Sequence, residues 1–175
     1  MFRKIISIIK ICSLKLRFGK RLKIKSIRQF IRYNTEISVG KGANLYLGGI
    51  SAQTNVHLVC VHGKLNIGNQ VNFNRNCIII CRQKILIDDN CSFGPNVCIY
   101  DHDHSFNIDG IIPSEFKCSD IVIDSGCWIG AGAIILRGTH IGKNSVIGAG
   151  TVVKGNIPPN SLVASTRETN IIPIR

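Results

Sequence analysis

Acidic residues are missing from the first 33 positions, which hold eleven Lys or Arg, while the remaining chain balances eleven of these against ten Asp or Glu. The net charge of +12 therefore belongs to an N-terminal arm and not to the body. Such an arm suits phosphates or an anionic membrane surface. No helix-turn-helix and no interleaving of aromatic with basic residues accompanies it, so nucleic acid is not an expected partner. The eight cysteines contain no CxxC pair, which argues against a zinc site. At 175 residues and 45% hydrophobic, the chain is long enough for one buried core and does not need a disulfide framework. Free thiols in a reducing, cytoplasmic compartment are the expectation. Long apolar runs are also absent: Lys10 and Lys15 break MFRKIISIIKICSLKLRF well below the ~18 residues of a membrane span. No small-residue cleavage site follows that stretch.

The stretch is nevertheless patterned. At 100° per residue, Arg3, Lys4, Lys10, Lys15 and Arg17 share one side, and Ile5, Ile6, Ile9, Cys12 and Leu16 share the other. This predicts an amphipathic helix ended by Gly19. Its apolar side either lies on an anionic leaflet or packs on the body or a neighbouring subunit, and the sequence leaves both open. Residues 20–33 read as a second basic segment leading into the body.

From Ile123 the chain repeats IDSGCW, IGAGAI, ILRGTH, IGKNSV, IGAGTV, VKGNIP, six hexads that each begin with Ile or Val. The same frame runs through IDDNCS, FGPNVC, IYDHDH from Ile87, and IGNQVN, FNRNCI from Ile67. Ile99 and Ile123 are 24 apart, a multiple of six, so the intervening segment is an insertion that keeps register. A period of six is neither 3.6 nor 2 and excludes a long helix or a simple alternating strand. Short strands joined by tight Gly, Asn or Asp corners fit, and three hexads close one coil of a parallel β-helix. Roughly seven coils fit between Thr35 and Pro158. Cys77, Cys91 and Cys127 fall at the small fifth position and act as core residues.

The beat breaks at Asp101, His102, Asp103, His104, and residues 105–122 then leave the repeat. Four polar groups at a corner do not serve core packing, which predicts that they face solvent or a cleft. A long excursion from a rigid scaffold suits a binding loop or lid. Histidine can be a general base at neutral pH, and an adjacent Asp can orient it. His57, His62 and His140 lie elsewhere in the repeats and read as surface or interface residues.

Hexads of this form, closing with WIGAGAIILRGTHIGKNSVIGAGTVVKGNIPPNS, resemble the left-handed β-helix acyltransferases, and the YDHDHSF strip is most similar to the sugar O-acetyltransferases related to galactoside and maltose acetyltransferases. The resemblance covers residues 34–163, between the arm at 1–33 and a tail at 164–175. It implies an all-β, left-handed parallel β-helix, a homotrimer, acetyl-coenzyme A as co-substrate without a metal, and a sugar or lipid-linked glycan as acceptor. It favours His104 as base, with His102 a second candidate, and places the family's active-site asparagine on Asn74. Asn74, Asp101 and Asp103 are candidate acceptor contacts. It puts coenzyme A along Ala131, Gly132, Ala149 and Gly150, with the Ala131 amide as oxyanion donor and Trp128 over the thioester or between subunits. Lys154 stands one place early in VVKGNIP for a phosphate contact, and Arg167 or Arg175 could replace it. Serine acetyltransferase is a nearby alternative without room for its helical domain. A γ-type carbonic anhydrase would need His102, His104 and His140 around zinc, and a non-catalytic scaffold would leave the DHDH corner without purpose.

Overall fold

The computed structural model describes residues 2–26 and 28–166, with side chains from residue 5 onward. A helix, Phe2–Phe18, leads into a parallel β-helix of three sheets. Face A stacks seven strands from Leu22–Ile24 to Asn156–Ile157, face B seven from Phe30–Ile31 to Leu162–Val163, and face C six from Glu36–Val39 to Val152–Val153. Leu22–Ile24 pairs with Asn44–Leu47, so the first coil begins in the basic segment that the hexad count leaves outside the repeat. There the buried residues fall at unequal spacing, nine residues from Leu22 to Ile31 and six from Ile31 to Ile37, so no single period marks the coil.

Each inward position meets its like in the next coil. Ile37, Leu58, Ile79, Ile99, Ile135 and Val153 form one such ladder on face C, all buried. Phe73 stacks on Phe93 inside face B at 4.8 Å between ring centres. At the corner between faces B and C, Asn55, Asn76 and Asn96 all take φ 60°, and their side chains hydrogen-bond in series at 3.0 Å. Asparagine tolerates that left-handed backbone because its short amide also bonds locally.

The insertion keeps register: Ile121–Ile123 pairs with Ile85–Ile87 as though nothing intervened. It forms an antiparallel hairpin of His102–Asn107 with Gly110–Cys118, not an irregular loop.

Cys60, Cys77, Cys81, Cys91 and Cys127 are buried, and burial pushes the Cys77 thiol up to about 11. A thiol shut away from solvent is out of a reagent's reach. In the native protein Cys12 should therefore react with a thiol reagent first, Cys98 and Cys118 more slowly, and the five buried thiols only after denaturation. Mass spectrometry of alkylated protein checks this, and early modification of Cys77 would contradict the packing.

Candidate active site

The predicted site residues divide between two edges of the solenoid. Asn74, Ala131, Gly132, Ala149 and Gly150 lie at the corner between faces B and C, stacked coil upon coil. The Gly132 amide donates to the Pro95 carbonyl and the Gly150 amide to the Ala131 carbonyl. Gly132 and Gly150 take φ 66° and 65°, a backbone other residues resist. A Cβ on Gly94 would come within 2.6 Å of the Ala131 nitrogen, so glycine there lets the column close up. Asn74 is exposed and accepts the Arg75 amide on its Oδ1 at 2.8 Å, which leaves its NH2 as the end offered outward. Trp128 projects from face B beside it. Asn74, Gly94, Gln53 and Trp128 line a groove of about 270 Å³.

His102 and His104 stand at the opposite edge, between faces C and A, where the chain leaves for the hairpin. In regular coils the amides here reach a carbonyl in the next coil, as Lys64 does with Gln83. At the exit that carbonyl is displaced, and Asp101 takes its place. Its buried carboxylate accepts the Gln83 and Lys84 amides at 2.7 and 2.9 Å and the Arg82 amide at 2.9 Å. Burying a carboxylate is tolerable when several donors satisfy it. The expectation that all four polar groups face outward is thus corrected at Asp101, whose oxygens are used inside the corner and are not presented to a ligand.

Asp101 also holds Nδ1 of His102 at 3.0 Å, and the His102 side chain is only 12% exposed. His104, two residues on, is exposed and leans on the Phe116 ring at 4.6 Å. Asp103 is exposed and receives a hydrogen bond from Arg137 Nε at 2.5 Å. Three residues at this corner escape the sequence reading. Arg82 lies 3.4 Å over the centre of Phe116, which also meets both histidines. Arg137 was within reach of pattern reasoning, since it holds the third hexad position in ILRGTH as Asp101 does in IYDHDH. Phe116 was not, because the hairpin has no hexad frame. Lys154 shares this edge two coils further on and is exposed. Arg167 and Arg175 lie outside the described residues.

Face C separates the two edges: its strands run two to four residues, and with the flanking corner residues this puts the edges roughly 15 Å apart. No single chain therefore brings either histidine to Asn74 or to the Ala131 column. His140 sits on face A against Asp124 at 3.1 Å, and His57 on face C against Glu36 at 2.8 Å. Among the described residues no group of three His, Cys, Asp or Glu gathers to hold a metal.

Residues 120–155 match the family model described as bacterial transferase hexapeptide (six repeats). The chain is similar to galactoside O-acetyltransferases of Lactococcus lactis, at 34% identity over 58% of this chain and 49% of the relative, and of Escherichia coli, at 35% over 57% and 49%. It spans about half the length of the curated relatives it matches. A hexapeptide-repeat-containing acetyltransferase of Vibrio cholerae, solved with acetyl-coenzyme A, shares the fold with a TM-score of 0.62, 24% identity, and coverage of 90% of this chain and 72% of that one. Residues 120–155 thus carry the hexapeptide repeat of the bacterial transferases, and the chain is similar to galactoside O-acetyltransferases that share it.

Proposed function

We propose that the protein is an acetyl-coenzyme A-dependent O-acetyltransferase acting on a sugar hydroxyl of a glycan or lipid-linked glycan, assembled as a homotrimer at the cytoplasmic face of a membrane. One observation carries this reading: a histidine corner and a small-residue column on opposite edges of one triangular prism, each lacking the other. Copies set side by side bring the His104 edge of one to the Asn74 and Ala131 edge of the next. The cleft between them receives the donor against Ala131, Gly132, Ala149 and Gly150, and the acceptor beside Asn74.

In that cleft His104 takes the proton of the sugar hydroxyl as its oxygen attacks the thioester carbonyl. The tetrahedral oxyanion meets the Ala131 amide, a contribution often worth about 3 kcal/mol. Collapse expels the coenzyme A thiolate, which recovers the proton from the histidinium, so no covalent enzyme intermediate forms. Asn74 orients the hydroxyl, and Lys154, on the histidine edge, faces the donor phosphates. A second reading has one observation in its favour: the Asp101 contact orients His102, which then serves as the base.

Subunit mixing tests the shared cleft. His104→Ala and Asn74→Ala homotrimers should each be nearly inactive, whereas trimers reassembled from an equal mixture should regain activity at roughly one site in four. Mixtures that stay inactive while exchange is confirmed by mass would place both residues in the same copy's site and contradict the arrangement.

A further inference from the structure

Of the two orientations open to the N-terminal helix, the structure takes the one that turns Ile5, Ile9 and Leu16 outward, while Lys10 and Lys15 reach back to the first coil. Ser7, Leu14 and Phe18 are buried against the first coil, and Ser7 Oγ accepts the Ile31 amide at 3.1 Å. Lys10 donates to the Thr35 carbonyl at 2.6 Å and Lys15 to the Leu22 carbonyl at 2.8 Å. Just beyond the helix, Arg21 donates to the Val39 and Gly40 carbonyls, each at 2.9 Å. These backbone groups belong to the first coil and have no preceding coil to bond, and unpaired polar groups at a covered end are costly. The cations are therefore spent as caps on the open end of the solenoid. Burial pulls the Lys10 ammonium below its ordinary range.

The consequence is an outward ridge of Ile5, Ile6, Ile8, Ile9 and Leu16, between 44 and 89% exposed. That excludes packing of the predicted apolar side on the body. The helix is not long and apolar enough to cross a membrane. A helix that presents isoleucines outward and lies flat across the end of a rigid rod suits the boundary between headgroups and acyl chains. Charge selects this occupant over a second copy. Arg17, Lys20 and Arg28 are exposed around the ridge, and no acid occurs before Glu36. Two copies meeting end to end would oppose cation to cation, whereas an anionic leaflet complements them.

We propose that this ridge is a membrane-docking surface that stands the solenoid end-on upon an anionic bilayer. A groove of about 730 Å³ opens beside the helix at Ile8, with Arg28, Phe30 and Ile50 along it. It continues down face B through Ser51 and Asn72, which also border the groove at Asn74. Its apolar mouth, single arginine and polar floor match, in that order, the acyl chain, phosphate and sugar of a lipid-linked acceptor. This last point rests on the proposed transfer reaction, while docking itself does not.

Co-sedimentation of the full chain with phosphatidylglycerol–phosphatidylethanolamine vesicles, beside pure phosphatidylcholine vesicles, is the test. Binding is expected to the anionic vesicles, to weaken with salt, and to fall at least about tenfold in an Ile5→Ser/Ile9→Ser/Leu16→Ser variant whose circular dichroism and soluble-sugar transfer are unchanged. Failure of the wild type to bind, or equal binding by the variant, would overturn the proposal. A wild-type mass in sedimentation velocity twice that of the variant would assign the ridge to a second copy instead. Loss of transfer with vesicle binding intact would count against the reaction and leave docking standing.

Discussion

Alanine at position 104 is expected to lower kcat for acetyl transfer by about 10²–10⁴, the usual contribution of a positioned general base. That corresponds to about 3–5 kcal/mol of transition-state stabilisation. The dissociation constant for coenzyme A should stay within a few-fold of wild type, because in the proposed cleft the donor is held by the Ala131–Gly150 column and Lys154 and not by the imidazole. The ring rests on Phe116 at the surface of the hairpin, so its removal leaves no large cavity. The fold should survive, which separates chemistry from stability. His102→Ala, by contrast, should cost activity and some rigidity together, because that ring bridges Asp101 and Phe116. Steady-state kinetics on both variants at saturating donor decides between them. A His104→Ala enzyme within a few-fold of wild type, with His102→Ala inactive, would move the base to the Asp-held histidine.

Asp101→Ala should be the most destabilising single change at the site. It removes the acceptor of the Arg82, Gln83 and Lys84 amides at a corner where no backbone carbonyl stands in. Leaving such donors unpaired in a covered corner costs about 3–5 kcal/mol. For a chain of this size the melting temperature should drop by about 6–20 °C. Asp101→Asn keeps one accepting oxygen but turns an NH2 toward a backbone amide, so a smaller loss of about 1–3 kcal/mol is expected. Scanning calorimetry reads both. A melting temperature for Asp101→Ala within about 2 °C of wild type would mean that other contacts hold the hairpin's root. Because the hairpin carries both histidines, the surviving folded fraction should also lose transfer activity.

The coil was legible because each turn spends the same few residue types on the same jobs. Ile or Val fills the core once per face, and a residue tolerant of left-handed backbone turns the corner. The in-register insertion was legible for the same reason, from the spacing of Ile99 and Ile123 alone. The first coil was not, since Leu22, Ile31 and Ile37 are separated by unequal corners and their open edge is satisfied by lysines and an arginine. A stability role for charge of that kind leaves no periodic mark.

The same blindness left the orientation of the helix open. The helical wheel correctly sorted Lys10 and Lys15 from Ile5, Ile9 and Leu16, but it carries no information about what either side meets. The orphan carbonyls of Leu22 and Thr35 decided that. At the DHDH corner the sequence marked the break and the residue types, while the division of labour among them depended on depth. Asp101 lies under the corner, His102 partly within it, and Asp103 and His104 outside, a gradient that one strand crossing from core to hairpin produces and that composition does not encode.

The central claim, that a base on one edge and a donor column on the other form an acetyl-transferring cleft, is met most directly by following free thiol released from acetyl-coenzyme A by the wild-type protein, with a panel of sugars, nucleotide-linked sugars and lipid-linked sugars. Release that depends on a sugar and disappears with His104→Ala is the predicted result. Absence of coenzyme A binding, and of thiol release with every acceptor at high enzyme concentration, would contradict it.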